Sequence, residues 1–189
     1  DTIADYRVFS IERNPWDRAV STFYWSMRGT DMRDRPQEDQ QAAFRAYLKD
    51  AAHPGWKRRW LGINAHRDLS QSWLYRVDGV PMVDMMLRYE CLEEDLARLS
   101  DFLGLGKPLS VAGVNAKTGH RSTSSRAYQD FFDDAARAEV ARACAWECDA
   151  LGYRFEGGVP PEFTPDPART ATRARFLAQL LVDHRGVQF

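Results

Sequence analysis

Arg13 stands where a short apolar run gives way to a helix start, and Ser21 lies two helical turns further on. These residue types suit one kind of chemistry, the holding of an oxyanion. A guanidinium presents a planar fork of donors that matches phosphate, and a hydroxyl adds another donor. A helix N-terminus adds backbone N–H groups and the positive end of the dipole. The same Arg would serve equally well as the partner of a core carboxylate, and the spacing leaves both uses open. A second candidate is His66, since an unperturbed imidazole has a near-neutral pKa and so suits a general base. A surface or hydrogen-bonded histidine is its other reading.

The elements that must position these groups follow from the pattern. Tyr6 to Ile11 is apolar and β-branched and is expected to be a buried strand. Glu12-Arg13-Asn14-Pro15 turns into a helix, with Asn14 as N-cap, Pro15 in the first position and Asp17 in the first turn. Trp16, Val20, Phe23 and Met27 form its inward stripe, while Arg18, Ser21, Trp25 and Arg28 form a second.

Composition narrows the field. The chain has 189 residues, 44% hydrophobic and 28% charged, with a net charge of −1. This is enough for one domain with a core, and no overall basic field exists to gather nucleic acid or a polyanion. An anion site must be local. Three cysteines, Cys91, Cys144 and Cys148, make neither a disulfide framework nor a zinc pattern. With no apolar run of membrane-span length and no signal peptide, the expectation is a cytoplasmic protein without a metal. Asp1 takes the place of an initiator Met, and the first strand follows almost at once. The chain is therefore expected to be a fragment.

Further along, Arg28 to Gln40 reads as a charged loop and Gln41 to Ala52 as a helix stopped by His53-Pro54-Gly55. Gly55 to Asp68 interleaves Trp56 and Trp60 with basic residues, a pattern that serves nucleic acid, sugar or simple snorkelling over a packed ring. Ser70 to Tyr75 is a short helix or turn, and Asp78-Gly79 signals a hairpin. Pro81 to Tyr89 reads as a second strand with Val83, Met85 and Leu87 alternating, and Glu93 to Leu103 as a helix capped by Gly104. Ser110 to Arg126 is loop and Ala127 to Leu151 a single long helix. Residues 1–159 make the α/β domain, and 160–189 a proline-rich linker with a terminal helix over Ala168 to His184, packed on the domain or extending from it. Strands alternating with helices argue for a parallel sheet.

Arg13-Asn14-Pro15 followed by Arg18 and Ser21 resembles the 3′-phosphate-binding segment of the PAPS-dependent sulfotransferases, nearest to the carbohydrate-type (family 2-like) members. The donor is 3′-phosphoadenosine 5′-phosphosulfate. The resemblance implies that Arg13 and Ser21 bind its 3′-phosphate, with Arg18 the family's intervening Arg. Arg88-Tyr89-Glu90, then Leu92 and Asp95, looks like the family's Tyr-Glu-x-Leu segment, which implies an adenine contact for Tyr89. A core role for Tyr89 is the other reading. His66, Gln71 and Tyr75 partly match a His-x-x-Pro-Gln stretch, with Leu69-Ser70 where the Pro would fall. Asn115, Lys117, His120 and Arg121 lie where the family has a loop covering the nucleotide, which implies phosphate contacts for Lys117 and Arg121.

The resemblance spans roughly Tyr6 to Phe155 and implies a P-loop-like, doubly wound parallel sheet flanked by helices. The family's phosphosulfate loop precedes the Arg-Asn-Pro segment, and Asp1 to Asp5 holds nothing like it, so the first strand, loop and helix are expected to be missing. Lys117-Thr118-Gly119 comes too late in the chain to replace that loop, and Gly104-Leu105-Gly106-Lys107 lacks the Walker spacing, which also disfavours a kinase. The expected function is transfer of a sulfuryl group from PAPS to a hydroxyl of a small molecule or glycan, with no nucleic acid partner. The chain by itself is expected to be inactive in transfer. The alternative is a nucleotide- or glycan-binding remnant without turnover.

Overall fold

The structure, a computed structural model, describes residues 6–52, 69–112 and 127–183. The chain divides into two compact units. Asp1–Glu12, Gln71–Ser110 and Pro161–Phe189 form the first, and Arg13–Ser70 with Val111–Pro160 the second. The fold is mixed α/β, with helices and a small parallel sheet of two strands. His66, Lys117 and Arg121 lie outside the described residues, as do most of the Gly55 to Asp68 and Ser110 to Arg126 stretches.

In the first unit, β1 spans Phe9–Glu12. A hairpin of β2 (Arg76–Val77) and β3 (Val80–Pro81) turns at Asp78 and Gly79, whose φ values of 50° and 83° are those an Asp-Gly type I′ turn demands. β4 (Met85–Arg88) runs parallel to β1, with Phe9 opposite Met85 and Glu12 opposite Arg88. The expected strand over Pro81 to Tyr89 is thus shorter, because Pro81 belongs to the hairpin. Met86, Leu87 and Arg88 are buried in succession rather than alternately, as a parallel strand covered on both faces requires. β1 corrects the expectation of a buried run. Phe9 and Ile11 are 46% and 45% exposed while Glu12 is 2% exposed, so the polar residue at the strand's end is the one turned inward.

Helix α3 (Leu92–Leu103) follows β4 and ends at Gly104, whose φ of 66° permits the left-handed cap. The terminal helix, Arg169–Asp183, belongs to this unit as well. Its Arg169 and Arg173 pair with Asp84, which also accepts the Val8 amide at 2.7 Å, so one carboxylate ties the helix to the start of the sheet.

The second unit is helical. α1 (Pro15–Ser26) and α2 (Gln37–Ala52) pack with α4 (Asp134–Ala143), and α5 (Ala145–Leu151) follows α4 in the chain. Its core is aromatic. Phe23 and Phe44 are fully buried with ring centroids 5.4 Å apart, and Phe132 meets Phe44 edge-on at 5.0 Å. Such pairs add about 0.5–1.5 kcal/mol beyond their burial. The expected single helix over Ala127 to Leu151 is broken. Phe131 and Phe132 both turn into the core, which forces Phe132 and Asp133 into extended backbone, and Asp133 then caps α4 by accepting the Ala136 amide at 2.8 Å. A second break falls at Cys144. The terminal helix already named, after these, is α6.

Candidate functional site

The start of α1 is built as its sequence dictates. Asn14 is 3% exposed, and its Oδ1 accepts the amides of Trp16 at 3.1 Å and Asp17 at 3.4 Å. Its Nδ2 donates to the Arg154 carbonyl at 2.8 Å, fixing the cap within the second unit. Pro15 has no N–H, and the Arg18 amide donates to the Asn14 carbonyl at 2.8 Å. The helix amides that the sequence assigned to an anion are therefore used inside the helix, a correction with a simple cause: the residue that makes Asn14 a good N-cap also consumes the donors. Any anion at this end relies on side chains.

Those side chains are Arg13 and Ser21. Arg13 has a side chain 20% exposed, and its Nε and Nη2 engage the Asp17 carboxylate one turn along. This is the i to i+4 pairing open to an Arg just ahead of a helix. Ser21 is half-buried two turns into α1. Arg18, on the second stripe, is 8% exposed and sits in the interior. Its Nη2 donates to the Leu69 carbonyl at 2.7 Å and lies 3.5 Å from Glu147 Oε1, which also accepts the Ser70 hydroxyl at 2.7 Å. Arg18 thus joins α1, α5 and the Leu69–Ser70 segment.

In the first unit the chain leaves β1 and β4 at the same end of the sheet, because the strands are parallel and Glu12 lies opposite Arg88. Tyr89 is the next residue after β4 and is 48% exposed. The strand end itself is polar and buried. Tyr75 donates its hydroxyl to Glu12 Oε1 at 2.8 Å. Arg88 meets Asp95 with Nε and Nη2 at 2.9 and 2.7 Å, and its amide reaches the same carboxylate at 2.7 Å. That hydrogen-bonded pairing pushes Arg88 above its ordinary pKa. Burial by itself would raise the Asp95 carboxyl, but the bonds from Arg88 and the charges of Arg88 and Arg98 hold it below the usual carboxylate value. Sequence reading overlooked both pairs. Their signals were a Glu closing an apolar strand and an Asp seven residues after an Arg.

Among the described residues, no group of three or more His, Cys, Asp or Glu is placed to hold a metal ion. No helix among them is long and apolar enough to cross a membrane.

No family model and no solved structure matches the chain. It is 30% identical over 106 residues to an uncharacterized protein of Archaeoglobus fulgidus, an alignment covering 56% of this chain and 74% of that protein. The chain belongs to the family of that archaeal protein.

Proposed function

We propose that the protein is a PAPS-dependent sulfotransferase acting on a hydroxyl-bearing acceptor, with a carbohydrate as the favoured class. The two parallel strands are then part of a P-loop-like, doubly wound sheet. The observation that supports this reading is the in-register parallel pairing of β1 with β4 within the first unit, which sends the chain out of both strands at the same end of the sheet. Ligands of open α/β sheets bind outside the carboxyl ends of the strands. Arg13 and Ser21 take the 3′-phosphate, and Tyr89 offers an aromatic face to adenine. Lys117 and Arg121 are proposed phosphate contacts and His66 the base that accepts the acceptor hydroxyl's proton as the acceptor oxygen bonds to sulfur and the sulfur–oxygen bond to the 5′-phosphate breaks, releasing adenosine 3′,5′-bisphosphate. In-line sulfuryl transfer depends on positioning and on donors that meet developing charge, and Arg13 contributes affinity at the far end of the nucleotide. Exchange of Arg13 for Lys tests the assignment, since Lys keeps the charge but not the fork. Unchanged affinity for adenosine 3′,5′-bisphosphate in Arg13→Lys would contradict it.

The alternative reading is nucleotide or glycan binding without turnover. Transfer of labelled sulfate from PAPS to sugar acceptors, measured on the full-length gene product, separates the two.

A further inference from the structure

The C-terminal end of α1 opens on a cleft of about 230 Å³ in the second unit. Its polar lining comes from Tyr24, Arg28, Thr30, Arg33 and Asp34. Met27 and Met32, both packed against the aromatic core, supply an apolar wall. The volume lies below the roughly 300–1,000 Å³ of pockets for drug-sized ligands, and so suits a single ring.

The cleft is preformed. Gln40 of α2 is 3% exposed, and its Nε2 donates to the Arg35 carbonyl at 2.6 Å and the Arg33 carbonyl at 3.2 Å. Its Oε1 accepts the Tyr24 hydroxyl. One buried amide thereby ties the loop that carries Arg33 and Asp34 to Tyr24 of α1. Gly29, with φ of 84°, makes the turn into that loop.

The charge of the lining follows from the same geometry. A helix C-terminus ordinarily presents bare carbonyls that repel anions. Here Ser26 and the Met27 amide donate to the Phe23 carbonyl, Arg28 to Trp25, and Thr30 through both amide and hydroxyl to Met27. With the Phe23, Trp25 and Met27 carbonyls accepting these bonds, two guanidiniums against one carboxylate, which Arg33 Nε meets at 3.5 Å, leave a net positive lining that mixes donors and acceptors. A polyhydroxylated ring with one negative charge matches that set. Beside the cleft Arg28, two residues past the end of α1, stacks over Trp25 at 4.4 Å.

We propose that this cleft binds one anionic sugar unit, such as a uronate. Its role as a subsite for a glycan acceptor rests on the sulfotransferase reading, whereas the binding itself does not. The test is titration of the isotope-labelled full chain with glucuronate, glucose and acetate, followed through the amide resonances of Gly29, Thr30 and Arg33. Glucuronate moves these resonances saturably and binds about tenfold more tightly than glucose, the worth of one charge-assisted contact, while acetate does not saturate. The double variant Arg28→Gln/Arg33→Gln loses this response and keeps the parent's melting temperature. Acetate binding as tight as glucuronate, shifts confined to other residues, or an unaltered response in the double variant overturns the proposal. Adenosine 3′,5′-bisphosphate added to the same sample reports separately on residues 13–21, so a failed nucleotide reading leaves the sugar result intact.

Discussion

The Arg18 guanidinium lies 3.5 Å from the Glu147 carboxylate in the interior of the second unit, and Glu147 also accepts the Ser70 hydroxyl at 2.7 Å. Removing one partner of a buried pair strands the other charge, which costs about 3–5 kcal/mol. Glu147→Ala is therefore expected to lower stability by that amount in urea denaturation. A loss below about 1 kcal/mol, the level of a surface pair, would contradict the burial argument.

The same pair explains what sequence reading reached and what it did not. Asn14 and Pro15 opened α1, and Trp16, Val20 and Phe23 turned inward, because caps and helical periodicity are local properties. The burial of Arg18 is not legible in the same way, since its partner Glu147 is 129 residues away and no local pattern reveals it. The break before α4 escaped for a related reason. It depends on Phe131 and Phe132 both meeting the core around Phe44, a demand of packing rather than periodicity. Capping of the α1 amides, by contrast, was legible. The Asn14 that marks the helix start is the residue that consumes them.

The Arg88–Asp95 pair gives the first unit an acid-sensitive element. A carboxyl held below its ordinary pKa contributes stability that is fully present above the unfolded value of about 3.9 and is lost as pH falls through the folded value. Asp95→Asn should be less stable than the parent at pH 7, and the gap should narrow below about pH 4. Urea denaturation at pH 7 and pH 3 measures it. A gap that stays constant with pH would assign the loss to packing.

Burial pushes the Cys144 thiol up to about 12 and Cys148 up to about 11. Since the thiolate is the reactive form, both should resist alkylation at pH 8 in the folded protein and react on unfolding. Mass spectrometry of iodoacetamide-treated native and urea-unfolded samples decides this. Rapid native labelling of Cys144 would show that the α4–α5 junction opens readily.

Glu12 closes β1 with its carboxylate buried and bonded to Tyr75. Tyr75→Phe removes a hydrogen bond to a charged acceptor and should cost about 1.5–3 kcal/mol in thermal or urea unfolding. Glu12→Gln keeps an acceptor for the phenol and should cost less. A larger loss in Glu12→Gln than in Tyr75→Phe would mean that the carboxylate's charge, rather than this hydrogen bond, sets the stability.

The central claim is that Arg13 and Ser21 recognise a 3′-phosphate, and calorimetry with two nucleotides tests it most directly. Adenosine 3′,5′-bisphosphate and AMP differ only in that phosphate. If Arg13 leaves Asp17 to receive it, or shares its fork between them, the bisphosphate binds about 10- to 150-fold more tightly, the range of one charge-assisted contact. Ser21→Ala lowers that ratio, and Arg13→Lys lowers it further. Equal affinity for the two nucleotides in the parent chain would contradict the account and leave Arg13 as the partner of Asp17.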